Sequence, residues 1–386
     1  VNEPKTDGSG ATALCIAARD GHMEVVAALL AAGATVHAAD GRKPALRYAA
    51  ARGHVEVVAA LLAAGARVNE AGENGTTPLL RAARQGHTKV VSALLTSGAM
   101  VDSALVSSDP LGSRTPLFVA AKRGYLDTVA TLLAAGARVE GAESCQVTPL
   151  FVASQYGHVE VVATLLAAGA HADEAQFEEV TPLFMASQKG HVEILAALLA
   201  AGARVDGAKR SDGATPLWVA SQNGHTEAVS ALLAAGAEVD PTFQYPQVDD
   251  TAATPLYVAS SEGHADVVSA LVNAGASIDW SDRDDRETPL MAASSQGEVE
   301  VLTVLLEAGA AVNQTDHLGR TAMVFACGRG HLTCAKLLSS YGATRTFHNS
   351  LMPGEEGVAT AEEIATDSDH EDLAAWLVES RLWSTP

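Results

Sequence analysis

Apolar residues along this chain come in two short bursts that recur. The clearest example lies between residues 181 and 206. Its first burst is Thr181-Pro182-Leu183-Phe184-Met185-Ala186, with Leu183 and Ala186 three apart on one helical face. Its second holds Ile194, Leu195, Leu198 and Leu199 at helical spacing. Thr181 predicts a side-chain cap, and Pro182 suits the first helical position, where no amide hydrogen is needed. Gly190 and Gly202 predict the two helix ends, and Glu193 sits near the positive N-terminus of the second helix. The result is one helix–turn–helix unit, too short to bury its own apolar face.

The unit recurs along the chain. With the Gly-His pair as marker, the histidine position falls at His22, His54, His87, Tyr125, His158, His191, His225, His264, Glu298, His331 and, weakly, His370. Ten full units and one degenerate unit follow at 32 to 39 residues apiece. A period near 33 with a Thr-Pro-Leu helix start resembles the ankyrin repeat, over nearly the whole length. The resemblance implies an all-α ankyrin-repeat solenoid of about 22 helices, with stacked helix–turn–helix units and projecting β-hairpin-like fingers. It implies a single array over 1–386. The repeats fall at approximately 1–37, 38–69, 70–102, 103–140, 141–173, 174–206, 207–240, 241–279, 280–313, 314–346 and a degenerate capping repeat at 347–386.

Several positions depart from the pattern. The second unit has Pro44-Ala45-Leu46 and has lost its Thr cap. Two long connections, Ser103 to Arg114 and Pro241 to Asp250, are expected to lengthen fingers without disturbing the stack. The second contains Phe243 and Tyr245, apolar surface that a solvated loop does not need. In the last unit Glu362 takes the usual Leu position, and Trp376, Leu377 and Trp383 are expected to cover the final apolar face. Val1-Asn2-Glu3 repeats Val68-Asn69-Glu70, and Thr385-Pro386 resembles another unit's opening. The sequence therefore reads as a piece of a longer array.

Composition and charge narrow the picture further. Residues are 48% apolar but only 4% aromatic, so many alanines allow close helix packing. The longest apolar runs are about ten residues, short of the roughly 20 that span a bilayer, so no membrane insertion is expected. Cys15, Cys145, Cys327 and Cys334 form no CxxC pair. Cys327 and Cys334 lie on the two helices of one unit, where a bond is conceivable, but buried reduced thiols in the cytoplasm or nucleus are the expectation. The net charge of −21 disfavours nucleic acid and anionic membranes. Residues 1–140 carry 14 Lys and Arg against 12 Asp and Glu, whereas residues 141–386 carry 11 against 34. Either the surface charge drifts, or the distal half is suited to a basic partner.

No motif for catalysis stands out. His22/Glu24, His54/Glu56, His158/Glu160 and His191/Glu193 form His-x-Glu, which also begins the zinc deaminase signature, but the downstream Pro-Cys-x-x-Cys is absent. A pattern present once per unit points to histidines that stitch neighbouring units together. The carboxylates between Trp280 and Glu287 lack the glycine and distal glutamate of an EF-hand loop. The chain has no His-Glu-x-x-His, GxSxG, phosphate loop or Rossmann fingerprint. No enzyme activity, cofactor or metal is expected.

Two series vary in ways a partner could read. The pair before each marker glycine runs from Arg19/Asp20, Ala51/Arg52, Arg84/Gln85 and Lys122/Arg123, through Gln155/Tyr156, Gln188/Lys189 and Gln222/Asn223, to Ser261/Glu262, Ser295/Gln296 and Gly328/Arg329. The family resemblance places these pairs on inner helices facing a concave groove. The second series is Phe118, Phe151, Phe184, Trp218, Tyr257 and Met291, expected to pack between units or, alternatively, to line the groove with their edges. The resulting partner-binding candidates are Lys122, Arg123, Gln155, Tyr156, Gln188, Lys189, Trp218, Gln222, Asn223, Phe243, Tyr245 and Tyr257. The expected function is non-catalytic protein recognition by a monomer, centred on the fourth to eighth units. The alternative is a targeting or autoinhibitory module of a larger enzyme or channel whose active domain lies outside this segment.

Overall fold

A computed structural model describes residues 2, 12–37, 44–72, 75–103, 114–141, 147–173, 180–207, 213–244, 252–281, 286–348 and 358–381. They contain 22 helices, none long and apolar enough to cross a membrane. The chain divides into two compact units, Val1–Phe177 with Ala200–Gly202, and Glu178–Leu199 with Ala203–Pro386.

In the first unit the inner helices, those that open each repeat, are α1 (Ala13–Asp20), α3 (Ala45–Arg52), α5 (Pro78–Gln85), α7 (Pro116–Lys122) and α9 (Pro149–Tyr156). The outer helices are α2 (Met23–Ala31), α4 (Val55–Ala63), α6 (Thr88–Thr96), α8 (Leu126–Ala134) and α10 (Val159–Ala167). Each inner helix packs on the next inner helix and on its own outer helix, and the outer helices form a second row. The second unit likewise has inner and outer helices. Its inner helices are α11 (Pro182–Lys189), α13 (Pro216–Gln222), α15 (Pro255–Ser261), α17 (Pro289–Gln296), α19 (Ala322–Gly328) and α21 (Ala361–Asp367). Its outer helices are α12 (Val192–Ala200), α14 (Thr226–Ala234), α16 (Ala265–Asn273), α18 (Val299–Glu307), α20 (Leu332–Ser340) and α22 (Glu371–Arg381).

Local chemistry sets the boundaries. Thr77, Thr115, Thr148, Thr181, Thr215, Thr254 and Thr288 each accept a backbone N–H through the side-chain oxygen, with Pro at the first helical position. Pro44 caps α3 without any such bond. The core is made of the inner-helix leucines and outer-helix valines and leucines, among them Leu117, Leu150, Val129 and Leu165, all fully buried. Buried alanines at the inner-helix contacts, such as Ala120 and Ala121, let those helices approach closely.

Two hydrogen-bond ladders tie successive repeats. In the first, the marker histidine reaches back and donates through Nε2 to a carbonyl near the end of the preceding inner helix. His54, His87 and His158 bond Arg19, Ala51 and Lys122 in the first unit, at 3.0 to 3.3 Å. His225, His264, His331 and His370 bond Gln188, Gln222, Ser295 and Gly328 in the second, at 3.1 to 3.3 Å. The expected stitching histidines are therefore present, with a definite partner atom. In the second ladder a finger carboxylate or amide accepts the backbone N–H of the next repeat. Asn69 to Met100 and Glu140 to His171 are examples in the first unit, and Asp279 to Ala311 and Asn313 to Thr344 in the second, at 2.7 to 2.9 Å.

The connection after α14 closes with an antiparallel pair, β1 (Phe243–Gln244) against β2 (Ala252–Ala253). Helices α13 and α15 still pack together, as do α14 and α16, so the longer finger leaves the stack intact. A second pair, β3 (Thr346–His348) and β4 (Val358–Thr360), precedes the last repeat. There Thr360 and Glu363 form a reciprocal capping box. Leu373 and Leu377 are buried. Trp376 is half-buried under Lys336 and Arg345, and Glu362 is 8% exposed. Trp383 and the connections over 104–113 and 245–251 lie outside the described residues.

Candidate functional site

The marker glycine ends each inner helix, and the pair before it sits where the side chains can no longer pack inward. In the first unit Arg123 and Tyr156 are exposed, while Lys122 and Gln155 are half-buried. Tyr156 keeps 49% of its surface open. Lys122 Nζ lies 5.2 Å from its ring centroid, and the ring stacks on His158 at 6.5 Å with a 15° interplanar angle. The ring thus has both a cation and an imidazole beside it, contacts that order an exposed aromatic side chain. Since His158 also bonds the Lys122 carbonyl, the stitching ladder positions this cluster directly.

In the second unit Lys189 and Asn223 are exposed and Gln188 and Gln222 half-buried. Asn223 spends its amide on the Val219 carbonyl at 2.7 Å, closing its own helix end. Tyr257 is half-buried and donates its hydroxyl to Glu287 Oε2 at 3.0 Å. Arg320 reaches the other oxygen of Glu287 at 3.7 Å, so this tyrosine joins a partly exposed polar network. The backbone of Phe243 belongs to β1, and Tyr245 lies outside the described residues.

Trp218, placed among the contact candidates on sequence grounds, sits in the core at 4% exposure. Phe118, Phe151 and Phe184 are similarly buried at 4%, 9% and 7%, and Met291 at 1%. The residue after the inner-helix leucine therefore packs between helices, because the first turn faces the neighbouring repeat. Among the pre-glycine pairs of the first unit, Arg52 and Arg84 are exposed as well. Arg47 and Arg81, half-buried on the same inner helices, went unnoticed because they precede the marker pair by several residues.

Among the described residues, no three His, Cys, Asp or Glu side chains converge as a metal site would require. Cys15, Cys327 and Cys334 are free and buried. Burial pushes the Cys327 thiol up to about 12, with Glu362 acting in the same direction, and the Cys334 thiol up to about 11. Both therefore stay protonated and should resist iodoacetamide at pH 8 until urea unfolds the second unit, as peptide mass mapping will show. The unfolded thiols lose their protons first, so their stabilising contribution is complete below about pH 9 and fades as pH rises through 11 and 12.

Comparison with known proteins places this geometry in context. A family model described as Ankyrin repeats (3 copies) matches residues 103–176, 150–243 and 242–316. A second, described as Ankyrin repeats (many copies), matches 14–62 and 46–95. Among solved structures, the crystal structure of the human ASB11 ankyrin repeat domain is similar at 31% identity and a TM-score of 0.52. That similarity covers 59% of this chain and 99% of the other. Comparison with curated proteins found no match.

Proposed function

Because the chain belongs to the ankyrin-repeat family, whose repeats are generally protein–protein interaction modules on a typically non-catalytic fold, we propose that it is a non-catalytic scaffold. It binds a protein partner on the face that carries the inner-helix ends and the fingers. One observation carries this reading: Tyr156 is half-exposed yet held by Lys122 and His158. An ordered aromatic side chain loses little entropy on binding, which is how a few residues come to dominate an interface. Lys122, Arg123 and Gln155 are the other pre-glycine candidates of the first unit. In the second, Gln188, Lys189, Gln222 and Asn223 offer the corresponding positions, with Phe243 and Tyr245 on the long finger. Free buried cysteines support a cytoplasmic location. The acidity of residues 141–386 supports a basic element in the partner there.

The test is photocrosslinking in source-cell lysate, using the full chain with benzoylphenylalanine at position 156 or, as control, at exposed position 163 on α10. One protein crosslinked from 156 and absent from 163 is the expected result. Equal labelling from both positions, or none from 156, overturns the proposal.

A further inference from the structure

Charge in the first unit is sorted by helix row. The inner helices with the α7 cap carry Arg19, Arg47, Arg52, Arg81, Arg84, Lys122 and Arg123 against a single acid, Asp20. The outer helices carry the reverse, with Glu24, Glu56, Asp127 and Glu160 against Lys89 alone. The inner and outer helix rows of the first unit are therefore of opposite sign. Asp20 is spent on Arg19, which it meets at 2.8 Å. Arg52, Arg84 and Arg123 are exposed, and among the described residues none of them forms an ion pair.

We infer that this inner-helix face recognises an acidic, extended protein segment that crosses the repeats and ends at Tyr156. The inference rests on the protein-recognition reading above and adds the chemistry of the partner. Charge complementarity selects an acidic segment. The spacing selects an extended one: packed helices lie about 8–10 Å apart, so one exposed cation per repeat recurs at that interval. An extended chain advances about 3.3 Å per residue, so a carboxylate at every third position keeps step with the cations. The occupant is a protein segment and not nucleic acid because the remainder of this chain is strongly acidic and repels a long polyanion. Tyr156 adds an aromatic platform at one end of the row, which suits an apolar residue beside the last carboxylate.

Fluorescence anisotropy with the full chain tests this. The probes are a fluorescein-labelled peptide of four Glu-Gly-Ser repeats, the same peptide with Gln for Glu, and a single-stranded oligothymidylate of equal length, all at low salt. The acidic peptide should bind about tenfold or more tighter than its amide counterpart. Combined Arg52→Glu, Arg84→Glu and Arg123→Glu substitution should weaken it about tenfold or more, since each exposed pair contributes a few-fold. Lys89→Glu on the outer row should change nothing. Circular dichroism confirms that each variant is folded. Indifference to the triple reversal, or equal binding of the two peptides, overturns the inference. Tighter binding of the oligothymidylate replaces the acidic segment by nucleic acid. Position 156 crosslinking to a protein while the acidic peptide fails would sink this inference and leave the function proposal standing.

Discussion

Alanine at Gly124 destabilises the first unit by about 2–5 kcal/mol, whereas alanine at Gly136 in the same repeat costs about 1–2 kcal/mol. Both glycines have positive φ, +72° and +83°, so both substitutions carry the left-handed backbone penalty. They differ in what a Cβ would meet. At Gly124 it would stand 2.5 Å from His158 Nδ1, whereas at Gly136 nothing lies within 4 Å. The imidazole cannot retreat without giving up its 3.1 Å bond to the Lys122 carbonyl. The added term at Gly124 is thus overpacking against the stitching histidine. Urea unfolding of the full chain, followed through the first-unit transition, provides the measurement. A double variant, Gly124→Ala with His158→Ala, should recover part of the loss, because the two side chains share one space. Equal costs at the two glycines would refute this account. The same relation recurs at Gly53 with His87 and Gly297 with His331, which explains why glycine and histidine travel together along the chain.

Trp218→Ala costs about 3–5 kcal/mol of stability in the second unit, while Tyr156→Ala in the first costs about 1 kcal/mol or less. The indole is 96% removed from solvent between helices, and its truncation leaves a cavity that the neighbouring alanines and serines cannot fill. Trp218→Phe should cost below about 1.5 kcal/mol, since Phe184 already occupies the equivalent place one repeat earlier. Thermal melting by circular dichroism separates the three variants. The contrast matters for function, because lost partner binding in Trp218→Ala would report unfolding, whereas lost binding in Tyr156→Ala would report a lost contact. A Trp218→Ala protein as stable as the parent would show that the ring is not part of the core.

Much of this molecule was legible before any coordinates. Helix starts and stops depend on local chemistry, so Thr181, Pro182 and Gly190 announce one repeat without reference to any neighbour. The stitching role of the histidines followed from their period alone, because a residue present once per repeat must act on the contact that repeats. What escaped was everything fixed by neighbours. Phe184 and Trp218 look alike as core or contact residues in sequence, and only the packing of successive inner helices decides for the core. Tyr156 and Tyr257 are both tyrosines on inner helices, yet one stands open on Lys122 while the other is turned toward Glu287. The charge of the first unit nearly cancels along the chain, and only the sorting of inner from outer helices separates Arg52, Arg84 and Arg123 from Glu56, Asp127 and Glu160. Sequence by itself determined the repeat and its internal helices, because those are short-range; tertiary structure decided which side chains are left facing a partner, because burial is a property of the stack.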